Sequence, residues 1–128
     1  MIHRFGLRVY YEDTDLAGIV YYANYLKYIE RARSEWVRAL GIDQVAMKAD
    51  GVVFAVRRVE ADYLAPARLD DLLDVETGVE RMSAARLVLR QDVKRGQDLL
   101  FSALVTIVCI GAAGAPLRLP AVIRRSGC

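Results

Sequence analysis

Apolar and polar positions alternate along several stretches of this chain and recur at helical spacing in one other. From Arg4 to Tyr11, Phe5, Leu7, Val9 and Tyr11 share one face, while Arg4 and Arg8 share the opposite one. That period of two predicts a first strand. Between Asn24 and Leu40 the period lengthens. Tyr25, Leu26, Ile29, Ala32, Trp36, Val37 and Leu40 recur every three or four residues, with Lys27, Glu30, Arg31, Ser34, Glu35 and Arg38 on the other side. The pattern predicts one long amphipathic helix, stopped by Gly41, with an Arg31–Glu35 pair one turn apart.

After a loop through about Gly51, the strand period returns. Alternation runs from Val53 to Tyr63 and ends at the turn Ala65-Pro66-Ala67. Leu73, Val75, Thr77 and Val79 then alternate with Asp74, Glu76 and Glu80. Ala85, Leu87, Leu89 and Val93 alternate with Arg86, Arg90, Asp92 and Lys94. Arg95-Gly96-Gln97-Asp98 reads as a hairpin turn, and Leu99 to Ile110 is apolar on both faces. This last segment is expected to be the most buried strand. The order is strand, long helix, then four strands joined by short turns. It predicts an α+β fold in which one helix packs on a five-stranded antiparallel sheet. Residues 1–128 form a single domain, with about 121–128 expected to be a loose tail.

Composition removes several function classes. A net charge of +2, with no basic run interleaved with aromatics, gives no reason to expect nucleic acid. Leu99 to Leu117 is uncharged and long enough to cross a bilayer, but Gly111, Gly114 and Pro116 break its second half. The chain is therefore not expected to span a membrane. Cys109 and Cys128 have no metal or redox spacing, and the N-terminus lacks an apolar leader. A reducing cytoplasm fits both features.

Candidate chemistry concentrates between Tyr10 and Glu35. His3 is the only histidine and reads as structural, so neither a metal site nor a serine triad can be assembled. No metal or redox cofactor is expected. The remaining working group is a carboxylate. Glu12, Asp13, Thr14 and Asp15 form an acidic turn, and Leu16 to Ala23, with Gly18, leads from it to the helix start. Asp13 and Thr14 read as turn residues that bond their own backbone. Asp15 reads equally as a turn residue or as an acid set beside free helix-start N–H groups. The tyrosines clustered around it read mainly as packing.

The run from Tyr11 through Asp13, Thr14, Asp15, Gly18, Val20, Tyr21 and Tyr25 to Glu30–Glu35 resembles the signature of the hydroxybenzoyl-CoA thioesterase family, whose fold is the hotdog. The segment Asp62 to Asp71 resembles the Tol–Pal-associated acyl-CoA thioesterase branch. The resemblance covers about Arg8 to Pro120. It implies hydrolysis of an acyl-CoA to a free acid and CoA. Asp15 would act as nucleophile or general base, and the backbone N–H of Tyr22 would polarise the thioester carbonyl. Gly18 matches the family's loop glycine. Many members of the Tol–Pal branch carry histidine at the position of Tyr22, so a side-chain role there is not available, whereas a backbone role is. The family binds CoA phosphates on basic surface near strand turns, which singles out Arg57, Arg81 and Arg86 here. It also implies a homodimer or homotetramer with its groove between subunits. A hotdog lyase and a non-catalytic acyl-binding or interaction protein remain the alternatives.

Overall fold

In the computed structural model, which describes residues 2–126, the strand pattern closes into a single antiparallel sheet. Its strands are β1 (His3–Arg8), β2 (Val53–Tyr63), β3 (Leu72–Met82), β4 (Arg86–Arg95), β5 (Asp98–Ile110) and the short β6 (Pro116–Leu117). The spatial order is β1-β3-β4-β5-β2, with β6 added beside the end of β5. The five expected strands are all present, and β6 is a two-residue addition. The helices are α1 (Asn24–Ala39), α2 (Gln44–Ala49) and α3 (Ala121–Ser126).

The long helix α1 lies against the sheet on a core built from alternate strand positions. On β5 the inward residues are Phe101, Ala103, Val105, Ile107 and Cys109, all buried, while Ser102, Leu104, Thr106, Val108 and Ile110 between and after them are only half-buried. β5 is thus buried on one face rather than two, because one layer of helix covers one side of the sheet. Cys109 lies in this core, and burial pushes its thiol above the ordinary value. On α1 the buried stripe is Tyr25, Tyr28, Ile29, Ala32, Trp36 and Val37. Tyr28 takes the inward place expected of Leu26, which is exposed. Tyr28 sits three residues after Tyr25 and four before Ala32, on the middle of the stripe.

Other expectations are corrected. The loop after α1 contains α2, started by Asp43, whose carboxylate accepts from the Val45 and Ala46 N–H groups at 2.9 and 3.2 Å. Glu35 pairs with Arg38 rather than with Arg31. Residues 121–126 are not loose. They form α3, and Ile123 is fully buried in the core beside Leu119. Docking of one apolar side chain orders this segment, which has little helical propensity of its own. Cys128 lies outside the described residues. The Leu99–Leu117 stretch forms β5, a turn and β6, and no helix is long and apolar enough to cross a membrane.

A buried polar cluster lies beneath α1. Gln91 and Thr77 are fully buried on the inward faces of β4 and β3. The Gln91 amide donates to the Ile29 carbonyl at 2.9 Å and to Thr77 Oγ1 at 3.0 Å, and its oxygen accepts from Arg33 Nη1 at 3.0 Å. Every polar atom of the Gln91 side chain is engaged, which makes its burial tolerable. The cluster also ties the middle of the helix to two central strands. The whole arrangement, one long helix cradled by an antiparallel sheet, is the hotdog fold.

Candidate active site

Tyr11–Asp13 makes one turn of 3-10 helix. Asp13 Oδ2 accepts from the Tyr10 N–H at 2.9 Å, and Thr14 Oγ1 donates to the Tyr11 carbonyl at 2.7 Å. Both residues therefore serve the turn, as their types predict. Thr14 then forms an antiparallel bridge with Val20. The Asp15 N–H donates to the Ile19 carbonyl at 3.0 Å, and the Gly18 N–H to the Asp15 carbonyl at 2.9 Å. This tight reversal requires φ of +78° at Gly18, where a side chain would be strained. Gly18 therefore acts by shaping the loop.

Asp15 combines both roles that its position allows. Its Oδ1 accepts from the Ala17 N–H at 2.9 Å, while nothing among the described residues donates to Oδ2. One oxygen holds the turn and the other is open. The side chain is exposed at the mouth of the loop. Its negative charge, after the neighbouring Tyr22 phenol and burial, helps to push the Tyr21 phenol above its ordinary value.

The start of α1 lacks the satisfaction seen at α2. Its N-cap is Ala23, with no side-chain cap. Asn24 turns its amide away to donate to the Asp13 carbonyl at 2.8 Å, and Tyr21 donates to the same carbonyl at 2.9 Å. Among the described residues the Tyr22 N–H has no acceptor. An open N–H at a helix start is a donor for an anionic or strongly polarised oxygen. The acid turn and this helix start are thus joined through Asp13, so that Asp15, Gly18 and Tyr22 belong to one locally folded unit.

Aromatic residues position that unit. The Tyr63 hydroxyl donates to the Tyr22 carbonyl at 3.0 Å. Phe101 stacks on Tyr25 at 5.0 Å and meets Tyr63 edge-on at 5.0 Å. Tyr25 Oη accepts from the Ala67 N–H at 3.1 Å. Among the described residues the buried Tyr28 hydroxyl has no hydrogen-bond partner, and burial followed by the charge of Asp13 pushes it well above the usual phenol range. Sequence reasoning treated these rings as packing. The supporting role of Tyr63 had no signal in the sequence, because it depends on strand pairing that places Tyr63 opposite Phe101.

Arg57, Arg81 and Arg86 come together from the three strands β2, β3 and β4. With Arg58, Ser83 and Thr106 they line one open cleft. Arg58 is paired with Glu60 at 3.1 Å, whereas Arg57, Arg81 and Arg86 have no acidic partner within ion-pair distance among the described residues. The cleft lies on the sheet face away from α1. Arg86 pairs with Val108, and Arg81 with Val88, which itself pairs with Thr106. These positions alternate with the inward Leu87, Leu89, Val105 and Ile107. Tyr22 is held by Tyr63, whose partner Phe101 points inward. Within one protomer, the sheet therefore separates the arginine cleft from the Asp15 loop. No cluster of three or more metal-ligating side chains occurs among the described residues.

Comparison with known proteins places the fold in a family. The thioesterase superfamily model matches residues 17–102. The acyl-CoA thioester hydrolase YbgC of Escherichia coli O6:H1 is 43% identical over 110 residues, covering 85% of this chain and 82% of the relative. The acyl-CoA thioesterase YbgC of Haemophilus influenzae is 41% identical, covering 83% and 79%. The crystal structure of a probable thioesterase from Bartonella henselae superposes with a TM-score of 0.89 at 38% identity, covering 94% of this chain and all of that one. Fold, motif and relatives converge, and this chain belongs to the thioesterase superfamily, on the branch of the YbgC acyl-CoA thioesterases.

Proposed function

We propose that this protein hydrolyses an acyl-CoA to a free carboxylic acid and CoA at the loop formed by Asp15, Gly18 and Tyr22. The observation that carries the reading is that one locally folded loop holds both an open carboxylate oxygen on Asp15 and an unbonded N–H at Tyr22. A thioester carbonyl oxygen that accepts from Tyr22 gains stabilisation as it becomes an oxyanion. Asp15 then attacks the carbonyl carbon directly, or removes a proton from a water that does so. Collapse of the tetrahedral intermediate expels the CoA thiolate, which takes up a proton. If Asp15 is the nucleophile, water cleaves the resulting anhydride and restores the carboxylate. No step needs a metal. Thiol release measured across short, long and aromatic acyl-CoAs tests the reading, and a purified protein that releases no thiol from any of them refutes it.

The unpaired arginines of the outer cleft suit the phosphates of CoA. Because the sheet stands between this cleft and Asp15 in one copy, a CoA that reaches both uses the loop of one subunit and the cleft of another. A homodimer, or a tetramer built from dimers, is therefore part of the same proposal. The exposed edge strand β2 offers unpaired backbone groups over eleven residues for such an association. Light scattering at micromolar concentration should give at least a dimer, and a fully active monomer contradicts the shared site. Alanine at Arg57, Arg81 or Arg86 should raise KM more than it lowers kcat, because a phosphate contact is made equally in ground and transition states. Unchanged KM in all three variants places the phosphates elsewhere. The buried unpaired Cys109 thiol is compatible with a cytoplasmic location.

A further inference from the structure

A groove runs between α1 and β2 from Leu26 and Val59 towards Trp36 and Phe54, and its Leu26 end lies one helical turn from Tyr22. On the strand, Tyr63, Ala61, Val59 and Val56 pair with Phe101, Ala103, Val105 and Ile107, so all face the helix side. Tyr63 is bonded to Tyr22. On the helix, Leu26, Glu30, Arg33 and Val37 follow at spacings of four, three and four and form the opposite wall. At Arg33 the groove meets a half-open, mainly apolar cavity of ≈ 220 Å³, whose lining includes Trp36, Phe54 and Ile123. From Asn24 to Arg33 the helix advances about 14 Å. An acyl chain that leaves the Tyr22 end and follows the helix therefore reaches Arg33 before Trp36 and Ile123.

Arg33 is a charged side chain in this groove, beside Glu30, and a plain hydrocarbon gives it no partner. Its Nη1 is fixed by the Gln91 oxygen, and Gln91 is itself locked by Ile29 and Thr77. The Nε–Nη2 edge of the guanidinium has no acceptor among the described residues, and no carboxylate lies within ion-pair distance. Glu30 lines the same groove, but its carboxylate meets the Ser34 hydroxyl at 3.5 Å. Burial lowers the affinity of Arg33 for its proton, with Glu30 opposing the effect. A partly desolvated cation whose nearest acid, Glu30, is not in ion-pair contact carries a desolvation cost that the chain offsets only in part. A guanidinium with one edge anchored and the other open is shaped to take a carboxylate through two parallel hydrogen bonds.

We propose that Arg33 is a specificity-determining residue that selects acyl chains bearing a carboxylate at the end remote from the thioester. The proposal rests on the acyl-CoA reading above. In that reading the substrate is the CoA monothioester of a straight-chain dicarboxylic acid. The free carboxylate binds the Nε–Nη2 edge of Arg33, while the thioester lies at Tyr22 and Asp15. The chemistry at the thioester is unchanged, and the product is the dicarboxylic acid itself.

The test compares plain acyl-CoAs with ω-carboxyl acyl-CoAs of the same chain lengths, and measures kcat/KM for each. The wild-type protein is expected to favour the ω-carboxyl member at one length. In Arg33→Met that preference should fall at least about tenfold, the value of a charge-assisted hydrogen-bonded contact. Arg33→Lys retains charge and a donor for Gln91 but loses the fork, and should recover only part of the preference. This second variant keeps the test usable if Arg33→Met folds poorly. An unchanged preference in both variants overturns the proposal. So does a wild-type protein that disfavours the ω-carboxyl chain at every length. A change of oligomeric state on substitution, with the preference intact, also overturns it and assigns Arg33 to an acid of a second copy. Calorimetric binding of the free dicarboxylic and monocarboxylic acids gives an independent readout. If no thioester is hydrolysed, yet the diacid binds more tightly through Arg33, the hydrolytic reading fails while the selectivity stands.

Discussion

Asp15→Asn should lower kcat at least about a hundredfold, the lower end for loss of a positioned general base. The substitution keeps the size of the side chain and an oxygen that can still accept from the Ala17 N–H, so the turn should persist. What disappears is the charge and the open oxygen that attacks or activates water. Tyr22→Phe should cost far less, severalfold at most. The unbonded N–H at Tyr22 belongs to the backbone and survives the change, as does the carbonyl that accepts from Tyr63. The pair separates the roles cleanly. An active Asp15→Asn protein removes Asp15 from the chemistry. A Tyr22→Phe protein as impaired as Asp15→Asn makes the phenol, rather than the amide, the working group. Both variants should retain the wild-type unfolding midpoint, because neither side chain is part of the buried core.

The sequence made some parts of this molecule legible and hid others for physical reasons. Alternation along β3 and β4 and the period of α1 were readable because each buries one face in a common core, whereas β5, apolar on both faces, did not show which side is covered. The Gly96 turn was readable because its left-handed backbone calls for glycine. By contrast, α2 and α3 are too short to show a period. Each is fixed by one local event: the Asp43 cap for α2 and the docking of Ile123 for α3. At the site, Asp13, Thr14 and Asp15 were legible as a turn, and the resemblance separated Asp15 from its neighbours. That one oxygen of Asp15 is used and the other is open could only come from coordinates. Gln91 did leave a trace, as a polar residue in the inward slot between Leu89 and Val93. Its partner Arg33 left none, because the helical pattern does not say which polar residue beside the stripe turns inward. The separation of the arginine cleft from Asp15 was equally hidden. It follows from strand pairing, which places Arg81 and Arg86 on the outer face.

Phe101→Ala should be the most damaging single change to stability, at about 3–5 kcal/mol, the usual range for emptying a buried aromatic position. Phe101 is fully buried, stacked on Tyr25 and in edge contact with Tyr63. Truncation leaves a cavity between the start of β5 and the start of α1, with little chance of collapse because Tyr25 and Tyr63 are each held by a hydrogen bond. The measurement is denaturant unfolding at fixed protein concentration, since an oligomer's midpoint depends on that concentration. Activity should fall as well, even below the transition, because Tyr63 and Tyr25 are the residues that hold Tyr22 and the Ala67 loop in place. Tyr63→Phe provides the control. It removes only the bond to the Tyr22 carbonyl, leaves the ring cluster filled, and should cost about 0.5–1.5 kcal/mol. A Phe101→Ala protein that unfolds at the wild-type midpoint would mean that the aromatic cluster is not a stabilising element. One that is destabilised but fully active in native conditions would mean that the cluster supports the fold without positioning the helix start.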